Sequence, residues 1–282
     1  MRKIDFNTVK NSVYNLTVSS MYDLDEKTFS SLNASLDKED ISLSKTVIKE
    51  IIENAIIAKE RRIPICQDTG IMVVFIEIGN QVQLDFLIDD AINDGVKEAY
   101  EGERFRMSVV RHPIDRVNTK TNTPCIIHTK IVLGDKLKIT ICPKGAGSEN
   151  LSQQKMLIPK DGIEGVEKFV IDTVIKAGGK VCPPIILGVG IGGNFEESTL
   201  LSKQALIRDL EDSSPDPIAR ELEIRLLEII NKLNIGPMGI GGKTTALGVK
   251  VNVAPCHIAS LPVAVNFQCH ASRHKEIILW LE

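Results

Sequence analysis

SKTVIKEIIENAIIAKERRIPICQDTGIMVVFIEIG, residues 44–79, passes from a helical period to a strand through one tight turn. Val47, Ile48, Ile51, Ile52, Ala55 and Ile56 fall on one helical stripe, with Ser44 placed to cap its start. Ile71 to Gly79 is a mostly apolar run rich in β-formers and reads as a strand. CQDTG, 66–70, therefore lies in a helix-to-strand connection, the kind of loop that commonly carries chemistry.

Working outward, the helical period returns over 85–101, and 125–133 and 136–142 read as two strands joined hairpin-fashion at Gly134-Asp135. A helix over 163–177 stops at Gly178-Gly179, and the apolar run after Pro183-Pro184 reads as a buried strand to Ile191. Asp216-Pro217 opens a helix through about Leu233, and strands follow at 246–253 and 261–267. Helices alternating with strands predict an α/β fold with mixed sheets flanked by helices. At 282 residues the chain is long enough for one large domain, residues 1–282, or for two lobes. The polar stretch EDSSPDP, 211–217, is the expected lobe boundary.

The net charge of −3 gives no electrostatic footprint for nucleic acid. The N-terminal residues show no apolar signal core, and no stretch reaches the roughly 20 apolar residues of a membrane span. These features lead us to expect a cytoplasmic protein. Six cysteines, dispersed and without a CxxC, argue against a disulfide scaffold, a zinc ribbon or a thioredoxin-type pair. Three of them lie at glycine- or proline-edged turns: Cys66 in CQDTG, Cys182 in KVCPPI and Cys269 in NFQCHASRH. Thiolates delivered by bends suit a metal–sulfur cluster, whose core the backbone must approach closely. Cys125 and Cys142 fall inside strand patterns and read as small core residues. Gly242-Lys243-Thr244 would end a phosphate loop only with glycine at 237, where Pro237 stands.

Further blocks surround these cysteines. They are FRMSVV (105–110), NTKTNTP (118–124), PKGAGSEN (143–150), VCPPIILGVGIGG (181–193), IGPMGIGGKTTALG (235–248), and the run from APCHIASLPVAVNF into QCHASRH. With CQDTG, they make the chain resemble the alpha, or N-terminal, part of class I iron–sulfur fumarases and of L-tartrate dehydratase over nearly its whole length. The resemblance implies a hydro-lyase with a [4Fe–4S] cluster on Cys66, Cys182 and Cys269 and one open iron. An open iron can act as a Lewis acid on a substrate hydroxyl and carboxylate.

Residue by residue, the resemblance places Gln67 and Arg106 against substrate and gives Asp68 a proton-transfer or orienting role, although aspartate there can equally cap its own turn. The Arg106 guanidinium suits a carboxylate because it offers two parallel donors. Gly145 and Gly147 are expected to open backbone amides to an anion, with Ala146 standing where the family usually has glycine. Lys243 is a candidate carboxylate contact. His257 aligns with a family histidine that reaches substrate from a neighbouring protomer, and His270 and His274 stand beside the cluster. The family's other part supplies the general base and further carboxylate-binding cations, so a separate beta subunit is expected, with an alpha–alpha dimer inside a heterotetramer. Fumarate and L-malate are the leading substrate pair, with L-tartrate to oxaloacetate second and mesaconate hydration third. A noncatalytic iron–sulfur electron carrier or iron-responsive protein is the alternative of a different class.

Overall fold

The structure, a computed structural model, describes residues 4–280. Its helices are α1 (Phe6–Tyr22), α2 (Glu26–Lys38), α3 (Ser42–Arg61), α4 (Ile88–Gly102), α5 (Ala146–Glu149), α6 (Gly162–Ala177), α7 (Phe195–Ala205) and α8 (Pro217–Lys232). Its strands are β1 (Ile71–Gly79), β2 (Ile126–Val132), β3 (Lys136–Lys144), β4 (Gln153–Leu157), β5 (Ile185–Gly193), β6 (Ala246–Cys256), β7 (Leu261–Gln268) and β8 (Lys275–Trp280). The fold is mixed α/β, with two four-stranded mixed sheets, as the alternating pattern predicts.

The chain divides into two compact units. Unit 1 takes the residues up to Asp25, Ala55–Ala146 and the stretch from Arg273; unit 2 takes Glu26–Asn54 and Gly147–Ser272. Residues 211–217 lie inside unit 2.

In unit 1 the strand order is β2-β1-β3-β8. Met72, Val74 and Ile76 of β1 and Leu137, Ile139 and Ile141 of β3 face a core completed by Val9, Val13 and Met21 of α1 and Ala91, Ile92, Val96 and Ala99 of α4. Asp5 starts α1 by accepting the Thr8 amide, so the helix buries one apolar stripe from its first turn. α3 begins at Ser42, two residues before the expected cap: Ser44 lies within the helix and gives its hydroxyl to the Gly241 carbonyl.

The hairpin expected between 125–133 and 136–142 does not form. β1 lies between β2 and β3, parallel to the first and antiparallel to the second. The Gly134 turn instead crosses the end of β1, where the Asn80 amide donates to Val132 and the Gln81 amide to Gly134. Alternation along a strand specifies its faces but not its neighbour, which is why the sequence pattern could not reveal the inserted strand.

Unit 2 repeats this arrangement in the order β6-β5-β7-β4, with β5 parallel to β6 and antiparallel to β7. One sheet face packs on α6 and α8 through Val166, Val170, Val174, Leu222, Leu226 and Ile230. On the face bearing Gly188 and Gly190, α7 lies so close that a Cβ at either glycine would sit 2.1 Å from a helix carbonyl, of Ser202 and Ser198 respectively. The GVGIGG pattern is thus the imprint of a helix pressed on strand backbone.

Candidate active site

In unit 1 the CQDTG turn is sorted by polarity. Its last three carbonyls each accept a hydrogen bond from a buried side chain. Arg273 Nη2 donates to Asp68 O (2.9 Å), Tyr100 Oη to Thr69 O (2.9 Å), and Asn122 Nδ2 to Gly70 O (3.1 Å). Arg273 is 2% exposed, and Tyr100 and Asn122 are fully buried. Burial pushes the Tyr100 hydroxyl above its ordinary range, although its hydrogen bond to Thr69 opposes the shift, so it remains a donor at neutral pH. Asn122 also accepts the Ser108 and Val109 amides, which ties NTKTNTP to FRMSVV and to the turn in one side chain.

The rest of the turn carries its reactive groups. The Asp68 amide donates to Cys66 Sγ at 3.4 Å, and Gln67 Oε1 lies 3.6 Å from the same sulfur. Asp68 Oδ1 accepts the Gly70 amide (3.0 Å), and Oδ2 accepts the Ala146 amide (2.9 Å). A Cβ at Gly145 would stand 3.2 Å from that Oδ2. Gly70 has φ +78° and its missing Cβ would meet the Lys144 backbone at 2.7 Å, so only glycine lets β3 pass here. Arg106 is exposed, and its main-chain carbonyl accepts the Thr69 hydroxyl. The unit therefore brings Cys66, Gln67, Asp68, Arg106 and Gly145 to one turn. Gly147 belongs to unit 2, and nothing lies within 4 Å of the Cβ it lacks.

Unit 2 brings Cys182 and Cys269 together through His270. The His270 amide and ring Nδ1 lie 3.4 and 3.0 Å from the Cys182 carbonyl oxygen. Cys182 has φ 54° and ψ 64°, a left-handed conformation that non-glycine residues adopt at bends held by their surroundings. Lys243 is ion-paired with Asp40, and its amide and that of Thr244 are held by the carboxylate of buried Glu39. His257 stands exposed on the connection that crosses from β6 to β7 past β5, its Nδ1 accepting the Ala259 amide.

None of the six cysteines is in a disulfide. Burial, with a smaller push from Asp89, raises the Cys125 thiol to about 12, which suits an inert packing residue. Among the described residues, no three His, Cys, Asp or Glu side chains are grouped as a metal-ion site. The donors nonetheless fit a metal–sulfur group by their chemistry: Cys66 accepts a backbone amide from its own turn, and Cys182 occupies a bend. Asn122, Tyr100, Arg273 and Glu39 are the residues that sequence reasoning missed, because a buried polar side chain leaves no periodic signature.

The turn sets Cys66 beside Asp68 and close-set glycines, and comparison with known proteins gives the class. The chain belongs to the fumarate hydratase (fumerase) family, a hydro-lyase family whose model matches residues 10–278. It is 46% identical over 257 residues to the "Putative L(+)-tartrate dehydratase subunit alpha" of Methanocaldococcus jannaschii, covering 89% of this chain and 90% of the relative. It is 32% identical over 247 residues to the L(+)-tartrate dehydratase subunit alpha of Escherichia coli O157:H7, covering 86% and 81%. The family is iron–sulfur dependent. Among the described residues, no helix is long and apolar enough to cross a membrane.

Proposed function

We propose that this chain is the cluster-carrying alpha subunit of a two-subunit hydro-lyase that interconverts a small 2-hydroxy diacid and its dehydrated product, with L-malate and fumarate as the leading pair. The observation that carries the reading is the convergence on one turn of CQDTG, FRMSVV, NTKTNTP and PKGAGSEN, through Asn122, Thr69 and Asp68. Four separated segments meeting at one half-buried thiol are more than a loop needs for stability.

Cys66, Cys182 and Cys269 would hold the cluster. Bound there, a [4Fe–4S] group with three protein thiolates supplies an open Lewis-acidic iron for the substrate hydroxyl. The chain's own residues then bind and orient. Arg106 offers two parallel donors to a substrate carboxylate. Gln67 contributes an amide beside Cys66. Each Asp68 oxygen accepts one amide and retains a lone pair, which suits it to hold the water that leaves or adds. Gly145 keeps the space beside Oδ2 open. His257, exposed on its connection, is suited to act in a neighbouring protomer, and Lys243 to steady the loop facing the substrate. The base that takes the proton from the adjacent carbon comes from the beta subunit.

L(+)-tartrate to oxaloacetate is the second reading, favoured by the names of the relatives. One added hydroxyl changes few contacts, so the two substrates differ by a modest factor in a single site. Anaerobic turnover of both diacids by the chain with its beta partner separates them. Higher kcat/KM for L-malate supports the fumarase reading, higher kcat/KM for L-tartrate supports the second, and a loaded pair inactive on both would refute the hydro-lyase reading.

A further inference from the structure

Among the described residues, Arg273 is a buried cation with no carboxylate within ion-pairing distance. It is 2% exposed, and its polar contacts are Asp68 O at 2.9 Å from Nη2 and the Met21 sulfur at 3.8 Å from Nη1. Its Nε is buried with no hydrogen-bond partner, and among the described residues the guanidinium makes no ion pair. Guanidinium does not deprotonate in proteins, so the charge cannot be relieved by losing a proton. A carbonyl and a thioether do not balance it, and a buried charge left uncompensated is strongly unfavourable.

The position of the charge is informative. Arg273 grips the carbonyl of the residue whose amide points at Cys66 Sγ and whose carboxylate is held by Gly70 and Ala146. Tyr100 and Asn122 hold the next two carbonyls. These donors are neutral, so holding a carbonyl of this turn does not by itself call for a full positive charge.

We propose that Arg273 is a positioning residue that acts through Asp68, and that the charge it brings is balanced by the anionic metal–sulfur group carried at the Cys66 turn. The inference rests on the function proposed above. The free protein is then held in a charge-unbalanced state that binding relieves, and the cation both fixes the turn and draws the anion to it.

The test compares wild type, Arg273→Met and Arg273→Lys as the full chain, measured as the apo protein and after anaerobic loading with iron and sulfide. Apo Arg273→Met is expected to melt no lower than wild type, because it loses an unbalanced charge. After loading, it should show less than half the wild-type rise in Tm and release iron several-fold faster on gel filtration. Arg273→Lys, which keeps the charge, should restore most of the loading effect. An equal fall in Tm for Arg273→Met in both states, with iron retained as in wild type, would overturn the inference and leave an ordinary hydrogen bond to Asp68. Failure of Lys to restore more than Met would overturn the role of charge. Wild type that holds no iron would overturn the proposed function and this inference together; wild type and Arg273→Met that hold iron equally well would overturn only the inference.

Discussion

In unit 2, the half-buried Arg208 and the buried Lys250 each reach a carboxylate, whereas among the described residues Arg273 in unit 1 reaches none. Arg208 donates to Glu223 (2.8 Å) and to both oxygens of Asp212 (2.7 and 3.0 Å), and Lys250 reaches Asp212 at 3.0 Å. Lys250 also binds the carbonyls of Leu210 and Asp212, and Glu223 accepts the Ser214 and Val251 amides. Two acids and two bases thus close on themselves and fix the stretch from Leu210 to Ser214. The Cys66 turn is held through its main-chain carbonyls, with one cation that makes no ion pair among the described residues. A network closed on itself serves the fold, whereas an open one leaves charge for something bound.

The largest effect expected from breaking the balanced side is that of Glu223→Ala. It leaves Arg208 short of an anion and two amides unpaired, and should cost about 3–5 kcal/mol of stability in urea unfolding. Activity per folded molecule should be unchanged. On the unit 1 side, Asn122→Ala removes the acceptor of two amides and the donor to Gly70, at about 1–3 kcal/mol. Here activity should fall as well, because the turn that loses its support carries Cys66 and Asp68; unchanged kcat would break the comparison.

The contrast between the units also shows what could be read from sequence. α6 and α8 follow their apolar periods and their Gly178 and Asp216 signals closely. Cys66, Asp68 and Arg106 stood out because each sits in a short motif, and the structure brings all three to one turn. The pairing of β2 with β1 escaped, because a strand's faces do not disclose its neighbour. The same holds for β6 and β7, parted by β5, so the shared order of the two sheets is visible only in three dimensions. Tyr100, Asn122 and Arg273 were illegible for another reason: a polar residue in a sequence reads as surface until its burial is known.

Two smaller effects sharpen the contrast. Arg106→Ala, at an exposed side chain, should leave urea unfolding unchanged and lower kcat/KM about tenfold, or about 1.4 kcal/mol, in the assembled enzyme. Asp212→Asn flattens the pH dependence of stability. Burial would raise the Asp212 carboxyl, but hydrogen bonds from Arg208 and Lys250 outweigh it and hold the carboxyl below 3.8. Its contribution is therefore complete at neutral pH and is lost as the pH falls below about 4. Urea midpoints between pH 5 and 3 should fall less steeply in Asp212→Asn than in wild type, and parallel curves would contradict this assignment.

The most direct test of the account is iron content and the electron paramagnetic resonance of the anaerobically loaded chain across all six Cys→Ser variants. The account predicts that Cys66→Ser, Cys182→Ser and Cys269→Ser each lose the cluster, while Cys125→Ser, Cys142→Ser and Cys256→Ser keep it. A Cys66→Ser chain that retains a full cluster, or loss of the cluster on changing Cys125, Cys142 or Cys256, would contradict it.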